Sequence, residues 1–144
     1  MDTFLEQYKT YVEDLGNLGT RHADTTKFFV SLLSALVVFQ SVAGQITGAR
    51  THLLAVAGSA AGILICALWG LTAHSYSKLY QAKLGVIRDL ETHLSHPCYA
   101  DEYRTLEELR FTPISKYEKL TSFLMGSLFV VVGAATVFQL LGGH

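Results

Sequence analysis

A chain of 144 residues, half of them apolar and only 16% charged, holds one domain at most and is poor in charge beside the roughly 25% of ordinary soluble domains. Its basic residues alternate with acids, with a net charge of −1, which excludes the clustered basic patch of a nucleic-acid binder. The two cysteines, Cys66 and Cys98, fall where a disulfide is not favoured and are expected as free thiols.

The apolar residues are concentrated. Stretches 28–46, 53–73 and 120–141 contain no Asp, Glu, Lys or Arg. As helices, runs of this length cover the roughly 30 Å hydrocarbon core of a bilayer. A helix of a soluble bundle keeps a charged outer face, and these have none. The fold class is therefore all-α, an integral membrane protein with three transmembrane helices and helical extensions outside the lipid.

In chain order, residues 1–26 place Phe4, Tyr8, Tyr11, Leu15 and Leu18 at alternating spacings of four and three, the seam of an amphipathic helix. Glu6, Glu13 and Asp14 stand where a secretory signal carries basic residues, so the first span is expected to stay as an anchor. Gly16 and Gly19 predict a break or kink, with Thr20 or Asp24 capping the helix that follows. The first span, 27–49, aligns Ser31, Ser34, Ser41, Gln45 and Gly48, and Gly44 and Gly48 form a Gly-x-x-x-Gly pair. The second, 53–75, carries Ala55, Gly58, Ser59, Gly62 and Cys66, with a second such pair at Gly58 and Gly62. Tyr76, Tyr80, Ile87, Leu90 and Leu94 extend this helix to about residue 95, where His96-Pro97 ends it. Segment 96–115 contains a short helix over about 101–110. After Pro113, Ser115-Lys116-Tyr117-Glu118 reads as a capping box that starts the third span, 116–141, with Ser122, Gly126, Gly133 and Thr136 on it.

Orientation follows from Lys and Arg. Lys9, Arg21 and Lys27 precede the first span, and Arg50 alone lies between the first two. Lys78, Lys83, Arg88, Arg104, Arg110, Lys116 and Lys119 lie between the second and third, and the tail has none. The positive-inside rule puts the N-terminus and the long middle segment in the cytosol of a bacterial inner membrane and the C-terminus outside. All seven tyrosines fall on the cytosolic side.

Lipid gives helices no hydrophobic reason to associate, so small residues and interhelical hydrogen bonds must do it. Part of this packing lies within one subunit. Three helices present more small faces than that packing consumes, and the amphipathic seams outside the lipid also need cover. Homo-oligomerisation is therefore expected, with Gly44, Gly48, Gly58, Gly62, Gly126 and Gly133 as the packing residues and the chain itself and the bilayer as partners.

No Asp, Glu, Lys or Arg lies inside the apolar stretches 28–46, 53–73 and 120–141 of the spans, which removes candidates for a proton relay or a charged-substrate site. A lumen lined by Ser31, Ser34, Ser41 and Gln45 would be weakly selective; alternatively these groups bond to the second span. His93, His96 and Cys98 are nitrogen and sulfur ligands in sequence proximity, yet their spacing fits no standard zinc pattern, so helix-end residues are the better reading. Gly58-Ser59-Ala60-Ala61-Gly62 lacks the nucleophile-elbow pattern, and there is no phosphate loop. No catalytic, metal or cofactor site is expected, and the chain does not read as an enzyme.

Arg21-His22-Ala23-Asp24-Thr25-Thr26-Lys27-Phe28-Phe29 leads into the first span. Trp69 stands five residues before His74-Ser75-Tyr76, and Leu79-Tyr80-Gln81-Ala82-Lys83-Leu84-Gly85-Val86-Ile87-Arg88 and Tyr117-Glu118 follow. With these motifs, in this order over most of its length, the chain resembles the RipA family of octameric bacterial membrane proteins and looks like the wider group of SLATT-type small membrane proteins. The resemblance implies an inner-membrane homo-octamer with Arg21, Asp24, Trp69, Tyr76 and Lys83 as its motif residues. Lys83-Leu84-Gly85 departs from the bulkier, aromatic-containing version of the pattern, which would loosen the helix there. Two functions are then expected as alternatives: a channel or membrane-perturbing effector answering a cytosolic signal, or a non-conducting scaffold that clusters a cytosolic partner.

Overall fold

Each charge-free run becomes a helix, and two of these helices continue far past the length that lipid requires. The computed structural model describes residues 2–43, 45, 49–93, 98–108 and 114–142. Helix α1 covers Asp2–Ala43, α2 Ala49–Glu91, α3 Cys98–Glu108 and α4 Ile114–Gly142; no strand occurs among the described residues. At 1.5 Å per residue, α1 and α2 are each about 60 Å long, twice the hydrocarbon thickness. Three helices, Thr3–Val42, His52–Glu91 and Lys116–Leu141, are long and apolar enough to cross a membrane.

The expected break at Gly16 and Gly19 does not occur; α1 runs unbroken through both. Glycine costs a helix roughly 1 kcal/mol relative to alanine. Leu15 and Leu18 beside them are buried, and packing of an amphipathic seam outweighs that cost. Thr20 and Asp24 are accordingly not caps. Thr20 Oγ1 donates to the Gly16 carbonyl at 3.3 Å, one turn back, and Asp24 pairs with Lys27 at 3.2 Å with both side chains largely exposed, where such a pair is worth little. Helix α2 likewise continues through Gly85.

Helices α1 and α2 form an antiparallel hairpin held along its whole length. Gln40 reaches Ser59, Phe29 stacks on Trp69, and His22 packs on Tyr76. Further out, Lys83 pairs with Asp14, Tyr8 bonds Glu91 and Phe4 stacks on His93. Each step along α1 is met by an equal step back along α2, so apolar span and polar extension belong to one continuous pairing. Helix α4 lies antiparallel to α2, with Ser122 Oγ donating to the Cys66 carbonyl at 2.6 Å. Helix α2 is thus central: 28% of its most apolar window is buried inside the chain, against 6% for α1 and for α4. The core where all three meet is Leu33, Cys66, Trp69 and Phe129, with Phe29, Leu36 and Ile65 packed against it.

Glu118 does not act in a capping box. Its carboxylate turns to α1 instead, accepting from His22 Nε2 at 2.7 Å and Thr26 Oγ1 at 2.8 Å. A tertiary partner with two donors outcompetes a single backbone N–H one turn away.

Candidate functional site: glycine seams and the polar junction

The packing glycines divide according to what a side chain would meet. A Cβ at Gly58 would lie 2.8 Å from Gln40 Nε2 on α1, and one at Gly62 would lie 2.6 Å from the Phe129 ring on α4. One at Gly133 would lie 3.1 Å from Ser59 Cβ, and one at Gly126 3.5 Å from Cys66 Cβ. All four therefore face another helix of the same chain. Gly44 and Gly48 lie outside the described residues.

The candidate lumen residues take a different face. Ser31, Ser34, Ser41 and Gln45 are exposed on the subunit. Ser34 and Ser41 donate to carbonyls of their own helix, Val30 and Val37, at 2.8 and 2.9 Å. The expected alternative, bonding of these hydroxyls to the second span, is not what occurs. Gln40 does that work, its Nε2 donating to the Ala55 carbonyl at 3.4 Å and Ser59 Oγ at 3.3 Å.

The residues singled out by the resemblance are spread from the core, at Trp69, to the polar extension, at Lys83. Trp69 is buried in the core, stacked on Phe29 with ring centroids 6.3 Å apart, and its indole nitrogen has no hydrogen-bond partner among the described residues. Two turns on, Tyr76 packs against His22 at 4.9 Å, and His22 carries the bond to Glu118. Helices α1, α2 and α4 thus meet through one imidazole, one phenol and one carboxylate. Glu118 is little exposed, at 11% of its side chain, so these bonds are largely shielded from water. Arg21 and Tyr76 help to line a shallow surface groove with Leu18, Leu71 and Leu79. Lys83 is mostly covered and holds Asp14 across the hairpin.

A family model described as the octameric membrane protein family (8xMP) matches residues 5–138. The chain belongs to the octameric membrane protein family. The match runs from the first turns of α1 almost to the end of α4, so it takes in both glycine seams and the polar junction. The membrane character and self-association expected from the three spans are those of this family. Neither curated proteins nor solved structures give a match.

Within the stretch that the family covers, one functional group escaped sequence reasoning. Glu91, only 1% exposed at the end of α2, accepts hydrogen bonds from the backbone N–H groups of Tyr99 at 2.7 Å and Ala100 at 3.1 Å. These are first-turn donors of α3, which no residue of that helix can satisfy, and a carboxylate also complements the positive end of the helix dipole. Tyr8 of α1 donates to the same carboxylate at 3.2 Å. Glu91 therefore ties α1, α2 and α3 together. The signal was a lone acid on the buried face that already carries Ala73 and Ile87. His93 and Cys98, from the discarded zinc pattern, lie beside this joint, His93 stacked on Phe4 and Cys98 exposed; His96 lies outside the described residues.

Burial, together with the neighbouring Glu91 carboxylate, pushes the Tyr8 hydroxyl up from 10.0 to about 12. Burial, then Glu102, also raises Tyr99. The unfolded chain loses the Tyr8 proton near pH 10.0 and the folded chain near 12. The stability from this contact is therefore complete below the lower value and is lost as pH rises through the upper one. Phenolate absorbance should show a late-titrating tyrosine that Tyr8→Phe removes, and Tyr8→Phe should flatten the fall in stability across that window. Identical titrations for the two proteins would mean that the Tyr8–Glu91 contact does not form.

Proposed function

We propose that the protein is a homo-octameric bacterial inner-membrane assembly that forms a weakly selective pore answering a cytosolic signal. The observation that carries this reading is the exposed polar stripe of α1. Ser31, Ser34, Ser41 and Gln45 all lie on surface that neither α2 nor α4 covers. In a ring, such a face is available to line the axis, where water relieves the cost of polar groups that lipid cannot solvate. The polar halves of α1 and α2, tied to α3 by Glu91, are the part open to a cytosolic protein or signal. Because span and extension are single helices, a change at the far end reaches the spans without a hinge. The Lys and Arg distribution supports an N-terminus in the cytosol and a C-terminus outside. The absence of Asp, Glu, Lys and Arg from stretches 28–46, 53–73 and 120–141 supports a role without catalysis.

A non-conducting scaffold is the second reading, and one observation favours it. Ser34 and Ser41 already satisfy their hydroxyls on their own helix, so that face has less need of water. Liposomes separate the two. A pore passes small ions or dye, and Ser34→Leu with Ser41→Leu abolishes the flux while the assembly survives. Full assemblies that pass nothing, with or without cytosolic extract, leave the scaffold as the function; flux untouched by both substitutions places the lumen on another helix.

A further inference from the structure

A groove of about 740 Å³ runs along the outside of the α2–α4 pair. It is open because its walls carry Ala67 and Gly70 on one side and Gly126 and Ser127 on the other, none with a side chain long enough to fill it. These residues lie within the two charge-free runs, at the depth of lipid chains. One end of the groove is different. Lys119 stands there, with its Nζ donating to His74 Nδ1 at 3.3 Å. Lys119 directly precedes the charge-free stretch 120–141, and Lys78, one turn beyond His74, is the first charge after the apolar stretch of α2, so this pair sits at headgroup level.

The acceptor role of Nδ1 puts the His74 proton on Nε2, and the Lys119 ammonium keeps two further N–H groups. The acid next to Lys119 in sequence, Glu118, is engaged by His22 and Thr26. Among the described residues no carboxylate pairs with Lys119. The site therefore combines an apolar slot at chain depth with a cation and a further N–H donor at phosphate depth. A neighbouring apolar helix would fill the slot and leave the ammonium without an anionic partner. An amphiphile with an anionic head satisfies both ends.

We propose that the α2–α4 groove binds an anionic phospholipid, one acyl chain lying between Ala67, Gly70, Gly126 and Ser127 and its phosphate on Lys119 and His74. Basic pockets between spans are a known way of holding anionic headgroups, and each basic group near the surface is worth about fivefold in affinity.

Native mass spectrometry of the intact assembly in mild detergent tests this with phosphatidylglycerol and phosphatidylcholine of matched chains. Phosphatidylglycerol should be retained at a concentration about fivefold lower or less. Lys119→Gln should erase that preference with subunit stoichiometry unchanged, and Lys119→Arg, which keeps the charge, should preserve it. Ser127→Leu, which fills the slot, should weaken both lipids. Equal retention of the two lipids by the unaltered protein overturns the proposal, as does a preference that survives Lys119→Gln. Displacement of phosphatidylglycerol by millimolar inorganic phosphate also overturns it, since the site would then read phosphate without a chain. High-yield disulfide crosslinking between copies through Ala67→Cys would do the same by putting a second subunit in the groove.

Discussion

Replacing Gly62 with alanine is expected to destabilise the folded subunit by about 2–3 kcal/mol, because the core has no room for the added methyl group. The new Cβ would lie 2.6 Å from Cγ and Cδ1 of Phe129 and 2.7 Å from Cε1, well inside contact distance. Phe129 is 2% exposed and wedged with Leu33, Cys66 and Trp69, so its ring cannot turn away without disturbing three neighbours. Gly58→Ala should cost less, since it meets the Gln40 side chain, whose displacement forfeits weak bonds to Ala55 and Ser59 worth about 1 kcal/mol. Gly126→Ala should be near neutral, because its Cβ would meet Cys66 at the ordinary distance of 3.5 Å. Equilibrium unfolding in mixed micelles orders the three. Adding Phe129→Leu to Gly62→Ala should recover part of the loss, a coupling that independent sites would not show. If Gly62→Ala instead unfolds like the unaltered protein while the assembly dissociates, the glycine faces another copy and not Phe129.

Glu91→Ala should have an effect of similar size by a different route. It leaves the Tyr99 and Ala100 N–H groups and the Tyr8 hydroxyl without their shared acceptor. Unpaired buried donors cost about 1–3 kcal/mol each, and bonds to a charged acceptor lie at the high end. Some of this is relieved as α3 swings out to water, so a net loss of about 2–4 kcal/mol is expected. The relief has its own signature: amide exchange at Tyr99 and Ala100 should accelerate and protease cleavage around α3 should appear, with the spans unaffected. Tyr8→Phe removes one donor and keeps the carboxylate, so it should cost only about 1 kcal/mol and leave α3 protected. Unchanged exchange at Tyr99 and Ala100 in Glu91→Ala would show that α3 is held by something other than this carboxylate.

The spans were legible because charge avoidance over some twenty residues has few alternative explanations. The α1 seam was legible in part: Leu15 and Leu18, chosen by spacing alone, are both buried and Tyr8 finds its partner on α2, whereas Phe4 and Tyr11 of the same seam remain exposed on the subunit. Reading failed where a residue has both a local and a distant use. Glu118 fits a capping box by position, and nothing in the string reveals that His22, 96 residues away, would claim it. Gly16 and Gly19 carry a break signal that is real but small, and burial of their neighbours overrides it. The glycine pairs announce close approach without naming what approaches. Gly58 and Gly62 prove to meet Gln40 and Phe129 of their own chain, information held in the three-dimensional arrangement and not in the spacing.

The pairing of α1 with α2 also bears on how the protein is made. Its contacts run from Phe4 with His93 to Gln40 with Ser59 and use nothing beyond His93. The hairpin can therefore close while the remainder of the chain is still on the ribosome, as separately stable helices associate within the bilayer. Until α4 arrives, the notch at Gly62 has no Phe129 to fill it, and the Cys66 carbonyl lacks the Ser122 hydroxyl that it accepts in the finished subunit. The side of the hairpin left unfinished is the one that α4 covers, so the last span completes the packing of the subunit.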